Sequence, residues 1–187
     1  ARFAVSMALD GAAELHLKDV VWERPALISE ENLELHVSLR PGEQGEVAFE
    51  IHAEPIGGEV SVYSRGIVTE KAAAAVPPAH DLRALRAQCT QGQWDGASCY
   101  AMFDRLGLRY GECFQGLQAL STGAGVALAQ IALPASQLAA ADRYVLHPSL
   151  LDAAWQAAIG VRLGAEREPA MMLPFALERL DVLAPCP

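Results

Sequence analysis

The sequence predicts an α+β fold in which an antiparallel sheet wraps around a helix. Three observations point there. Residues 1–13 carry a helical pattern, the stretch up to Val68 alternates apolar and polar residues between Pro/Gly turns, and a second, strongly apolar helix begins at Pro148. A helix followed by a meander with one buried face is an α+β signature.

In the opening helix, Phe3, Ala4, Met7 and Ala8 fall on one side, and Gly11 weakens the pattern near its end. Ala1-Arg-Phe has no cap and reads as mid-helix, which suggests a chain cut from something longer. From Leu15 the period changes. Residues 17–22 form a short β-type run stopped by Pro25. Leu33, Leu35, Val37 and Leu39 alternate up to the turn Pro41-Gly-Glu-Gln-Gly45, and Val47, Phe49, Ile51 and Ala53 up to Pro55-Ile-Gly-Gly58. Residues 60–68 are a third run, β-branched and aromatic, so three strands form a meander. The tract Lys71-Ala-Ala-Ala-Ala-Val-Pro-Pro-Ala-His80 marks a boundary, because Pro77-Pro78 ends a helix and stiffens the chain. It divides the sequence into a first half (1–75), a linker (76–90) and a second half (91–187).

Helical patterns follow at 81–88 and 98–106, the latter with Tyr100, Met102, Phe103 and Leu106 at spacing typical of core. In Tyr110-Gly111-Glu-Cys-Phe114-Gln-Gly116 the glycines and aromatic residues predict a tight bend with Phe114 directed inwards. Residues 126–133 read as a strand, 134–138 as a short turn of helix, and 171–182 as a further strand-like run.

The helix after Pro148 is the richest stretch. Pro148 suits a helix start and Ser149 is a good N-cap, with Leu150, Leu151, Ala154, Trp155, Ala158, Ile159 and Leu163 forming an apolar stripe. Asp152 and Gln156 stand at i and i+4 on one edge of it. A carboxyl beside an apolar stripe is partly desolvated, which raises its pKa toward that of a useful proton donor. The same residues also fit a capping box, Asp152 returning a hydrogen bond to Ser149, and His147 equally fits a packed turn position.

Composition narrows the class. The 187 residues are 52% hydrophobic and 20% charged, enough for a packed core. A net charge of −9 without a Lys/Arg stripe argues against a nucleic-acid partner, and no apolar run is long enough to span a bilayer. Cys89, Cys99, Cys113 and Cys186 lack metal-site spacing, which predicts no metal site and fits a reduced cytoplasmic protein.

His147-Pro-x-x-Leu-Asp152-x-x-x-Gln156 resembles the signature of dehydratase domains of modular polyketide synthases. Three further stretches are similar in the right order. Trp22-Glu-Arg-Pro25 resembles the family's Phe/Trp-x-x-Pro, Tyr110 to Gly116 its Tyr-Gly-Pro-x-Phe-Gln-Gly, and Leu173-Pro-Phe175 its Leu-Pro-Phe before a strand. Glu112 stands where that pattern has Pro, which loosens the bend and places a carboxylate near the channel mouth. The resemblance implies a double hot-dog fold, here incomplete at both termini. It implies that Asp152 is the acid, with Gln156 orienting it or hydrogen-bonding the leaving oxygen, and that Tyr110, Gly111, Phe114, His147, Pro148 and Leu151 contact substrate. The substrate would be a 3-hydroxyacyl chain on the phosphopantetheine arm of an acyl carrier protein, with no bound cofactor. Neighbouring synthase domains would be partners, and a homodimer through the parent synthase fits the same picture.

One feature of the family is absent. Its catalytic His lies in a His-x-x-x-Gly-x-x-x-x-Pro segment, and none of the five histidines here has that spacing. The chain by itself is therefore expected not to dehydrate. Two readings stand: a dehydratase whose parent supplies the His, or a dehydratase-like module that branches, cyclises or merely holds the carrier-bound chain.

Overall fold

The computed structural model describes residues 1–8, 15–28, 33–54, 59–70, 79–163 and 173–182. They form two compact units, one from Ala1–Pro77 with Leu173–Leu183, the other within Pro78–Met172. The Ala/Pro tract at 71–78 lies outside the described residues.

In the first unit, helix α1 (Arg2–Ala8) precedes strands β1 (Leu15–Trp22), β2 (His36–Pro41), β3 (Val47–Ala53) and β4 (Ser61–Glu70), and β8 (Ala176–Leu180) joins from far along the chain. The sheet order is β2-β3-β4-β1-β8, with each neighbouring pair antiparallel. The expected meander is thus present, although β2 begins at His36 and leaves Leu33 and Leu35 outside the strand. The strand-like run after residue 171 contributes β8 to this first sheet, pairing Leu17 with Leu180 and Val21 with Ala176.

The core of this unit gathers Val5, Leu15, Val20, Phe49 and Val68. In α1 the buried side is not the expected one: Val5 is fully buried, whereas Phe3 is 77% and Met7 67% exposed. The sheet meets the helix along Val5, a position that the larger side chains had masked in the pattern. At the centre, Phe49 lies opposite Gly66, and a Cβ at Gly66 would stand 2.8 Å from the Phe49 ring and 3.1 Å from the Val20 Cα. Glycine there lets the ring lie across the sheet.

The second unit contains α2 (Leu82–Gln88), β5 (Gly92–Asp95), α3 (Gly96–Arg105), β6 (Leu117–Gly123), β7 (Val126–Ile131), α4 (Pro148–Ala157) and α5 (Ile159–Leu163). Short 3-10 turns run over Glu112–Phe114 and Ala135–Arg143. Strands β5, β6 and β7 form an antiparallel sheet in that order. Its core is Cys99, Met102 and Phe103 of α3, Leu117 and Leu120 of β6, and Ile159 of α5. Aspartates cap two helices: Asp81 accepts from Arg83 and Ala84 N–H, and Asp95 from Ser98 N–H. Among the described residues no helix is long and apolar enough to cross a membrane.

Candidate active site

Helix α4 starts as its composition demands, but with a different cap from the expected one. Pro148 occupies the first turn, and the N-cap is His147, whose Nδ1 accepts the Ser149 N–H at 3.2 Å. Ser149 is buried and does not cap, so the capping box with Asp152 is not formed. The expected apolar stripe is also displaced. Ser149, Leu150, Ala153 and Gln156 are buried, while Ala154 and Ala158 are exposed. Close approach explains the shift: Gly116 abuts α4, where a Cβ would lie 3.1 Å from the Ala153 Cβ and 3.4 Å from the Ser149 carbonyl oxygen. Small residues at 116 and 153 let the backbones meet, and this turns Gln156 inward.

Gln156, 4% exposed, is the hub of the site. Its Nε2 donates to Asp152 Oδ2 at 2.7 Å and to the Phe114 carbonyl at 2.9 Å. Its Oε1 accepts the Tyr100 hydroxyl at 2.9 Å, and that hydroxyl accepts the Leu117 N–H at 2.8 Å. The backbone carbonyl of Phe114 takes only donors, which fixes the Gln156 amide with its nitrogen toward Phe114 and Asp152. Every polar group of Gln156 is thereby satisfied, as a buried amide requires.

Asp152 itself is half-buried. Burial pushes its carboxyl pKa up, and the Gln156 hydrogen bond opposes part of that rise. The carboxyl is not folded back on the helix start; it is held one turn further along by Gln156. Nearby phenols respond as well. Burial, with the Asp152 charge a lesser cause, pushes Tyr110 up, and burial carries Tyr100 to about 12.

The other expected contact residues are placed as follows. Tyr110 is half-buried, with its ring 5.2 Å from Phe103 and 6.0 Å from Tyr100. Phe114 presents its carbonyl to Gln156, and its side chain is 42% exposed rather than directed into the core. The 3-10 turn over Glu112–Phe114 aims the carbonyl inward and so rotates the ring outward. Gly111 caps that turn in an extended conformation, and Gln115 ties the turn down by donating to the Tyr110 carbonyl at 2.8 Å. Pro148 is exposed and Leu151 half-buried. His147 is 3% exposed, with its ring edge-on to Tyr144 at 4.7 Å. Since Nδ1 already accepts the cap hydrogen bond, the neutral ring carries its hydrogen on Nε2, a donor and not a base. That nitrogen is buried without a hydrogen-bond partner among the described residues.

Tyr100 is the member that pattern reading passed over, since its spacing is that of a core aromatic. The available signal was chemical: a buried tyrosine hydroxyl must find a partner. No group of three or more His, Cys, Asp or Glu side chains suited to a metal ion occurs among the described residues.

Residues 77–187, more than half of the chain, match the family profile described as the polyketide synthase dehydratase N-terminal domain. Polyketide synthase PksN of Bacillus subtilis (strain 168) is 34% identical over 183 residues, 98% of this chain but 3% of PksN. A solved trans-AT polyketide synthase dehydratase domain from Brevibacillus brevis is 38% identical with a TM-score of 0.88, over 97% of this chain and 64% of that one. The dehydratase domain from the CurK module of the curacin synthase is 27% identical with a TM-score of 0.86, over 96% and 64%. Two variants of the CurK dehydratase, one with a His replaced by Phe and one with an Asp replaced by Asn, are described as inactive. The fold is the double hot-dog that these domains share, and the chain spans 64% of the length of the two solved domains just compared. A profile match that takes in the whole of the second unit and a fold shared along nearly the whole chain make this protein a member of the polyketide synthase dehydratase family.

Proposed function

We propose that this chain forms the acid-bearing part of a domain that eliminates water from a 3-hydroxyacyl thioester carried on the phosphopantetheine arm of an acyl carrier protein. The observation that carries this reading is Asp152: a half-buried carboxyl, its pKa raised by burial, aimed by a buried amide. Because Gln156 donates to Oδ2, that oxygen is the carbonyl oxygen of the protonated acid, and the proton resides on Oδ1. In the reaction a base takes the proton from the carbon next to the thioester carbonyl. The released electron pair forms the carbon–carbon double bond, the bond to the hydroxyl breaks, and that hydroxyl leaves as water with the Asp152 proton.

The base is assigned to the parent synthase, since this sequence contains no His-x-x-x-Gly-x-x-x-x-Pro segment. The inactive His and Asp variants of the CurK domain support such a pairing of base and acid. Tyr110, Gly111, Phe114, Pro148 and Leu151 flank the acyl path in this reading, and His147 offers its Nε2–H to it. The acyl carrier protein and neighbouring synthase domains are the partners, in the cytoplasm, and no tightly bound cofactor takes part.

The test is Asp152→Asn in the full-length synthase, supplied with a 3-hydroxyacyl pantetheine thioester and followed by formation of the enoyl product. General acid catalysis contributes roughly 100-fold or more, so the variant should fall by at least that factor. Unimpaired elimination would remove Asp152 from the chemistry. A second reading is a module that holds the carrier-bound chain without eliminating water. In that case the unaltered protein would bind the acyl carrier protein and yield no enoyl product.

A further inference from the structure

Tyr100 lies outside the residues just given a chemical role, yet the hydrogen bonds that start at Asp152 run to it. We propose that Tyr100 is a positioning residue: its hydroxyl, anchored on the Leu117 N–H, holds the Gln156 amide in the one orientation that leaves the Asp152 proton on Oδ1. The inference rests on the reading of Asp152 as proton donor.

A phenol hydroxyl has one hydrogen and two acceptor sites. The Leu117 N–H, at the start of β6, occupies one acceptor site at 2.8 Å. The hydrogen then has two acceptors in reach, Gln156 Oε1 at 2.9 Å and the Phe114 carbonyl at 3.4 Å. The shorter contact goes to Gln156, and the Phe114 carbonyl already receives Gln156 Nε2–H at 2.9 Å. With Oε1 so committed, both hydrogens of Nε2 point to acceptors, one of them Asp152 Oδ2. A reversed amide would set Oε1 against the Phe114 carbonyl, acceptor facing acceptor. It would also let a protonated Asp152 give its hydrogen to Gln156 instead of to a substrate.

The ring carrying this hydroxyl is itself held in place. Tyr100 sits on α3 between the buried Cys99 and the core pair Met102 and Phe103, with aromatic contacts to Phe103 and Tyr110 at 6.0 Å each. The phenol keeps its hydrogen at any physiological pH, since burial raises its pKa to about 12.

The experiment follows the Asp152 carboxyl by carbon-13 NMR titration in the full-length protein, beside steady-state kinetics. Tyr100→Phe should move the Asp152 midpoint upward, because the opposing Gln156 donation weakens, and should lower kcat roughly tenfold with KM little changed. Ile159→Val loosens the same core at a residue of α5 that makes none of these hydrogen bonds. It should lower the melting temperature and leave the Asp152 midpoint where it is. An unmoved midpoint in Tyr100→Phe, or an equal shift in Ile159→Val, overturns the proposal. If Tyr100→Phe does not fold, 3-fluorotyrosine placed at position 100, a stronger donor, should move the midpoint downward, and no movement would again overturn it. A shifted midpoint together with full dehydration by Asp152→Asn would keep Tyr100 as the orienting residue while removing the proposed function.

Discussion

Asp152 pairs a costly environment with a single well-placed donor, and its energetics follow from that. A carboxyl whose pKa is raised on folding holds its proton to higher pH in the native state than in the unfolded chain. Its penalty is absent below the ordinary carboxylate pKa of about 4 and grows as pH rises through the window up to the raised native value. Asparagine keeps an oxygen for Gln156 and has no charge to desolvate. Asp152→Asn should therefore melt at the same temperature as the parent at pH 3 and at an equal or higher temperature at pH 7. Thermal unfolding at the two pH values checks this, and a lower melting temperature at pH 7 would contradict the geometry. Gln156→Leu has the opposite character. It strips partners from Asp152, the Phe114 carbonyl and the Tyr100 hydroxyl together. Each buried polar group left unsatisfied costs about 1–3 kcal/mol, so a loss of roughly 2 kcal/mol or more is expected by denaturant unfolding. At this scale the i, i+4 relation of Asp152 and Gln156 was legible in the sequence. The Tyr100 contact was not, because it joins residues 56 positions apart.

At the scale of elements, close backbone approach shapes the second unit more than helix propensity does. Gly160 of α5 packs on the sheet, where a Cβ would stand 2.9 Å from both the Ala127 Cβ and the Leu120 Cδ1, and 3.1 Å from the Thr122 Cγ2. Alanine is favoured over glycine in a helix by about 1 kcal/mol, whereas overpacking a filled core costs roughly 1–3 kcal/mol. Overpacking should win. Gly160→Ala is expected to lower stability by about 1 kcal/mol in chemical denaturation, and a stabilised variant would show that α5 can shift outward at little cost. The strands tell a similar story of local rules meeting packing. Strand β3 was readable from the alternation of Val47, Phe49, Ile51 and Ala53 in sequence and β4 from its β-branched and aromatic content, but β6 was not. Its register with β7 slips between Leu117 and Ala119, so buried Leu117, Leu120 and Thr122 do not keep a two-residue period. Strand β5, with four residues, is too short to show a period at all.

For the whole molecule, the distinctive feature is a strand that returns from the end of the chain to the first sheet. β8 lies beside β1, and just beyond it Asp181 accepts from Arg179 Nε at 2.8 Å and pairs with Nδ1 of the buried His16. Arg179 first, and His16 after it, hold the Asp181 carboxyl below the usual carboxylate range. A lowered native pKa gives stability that is fully present above the ordinary carboxylate pKa and is lost as pH falls through the lowered value. Asp181→Asn should thus cost up to about 1 kcal/mol at pH 7, the scale of a largely solvated ion pair, and less near pH 2. Unfolding at both pH values reads the difference. An equal loss at the two would mean that packing, and not charge, ties β8 down.

Short-range pattern was enough for the α+β class, the meander, the Pro148 helix and the placing of Asp152 over Gln156 on one edge. All of these are set by periodicity and by steric rules acting within a few residues. Tertiary structure decided that Val5 rather than Phe3 faces the core, that His147 rather than Ser149 caps α4, and that β8 joins β1. It also decided that Tyr100 steers the amide beneath Asp152. In each case the deciding partner is distant along the chain or is a backbone group with no side-chain signature. Local patterning carries no record of either.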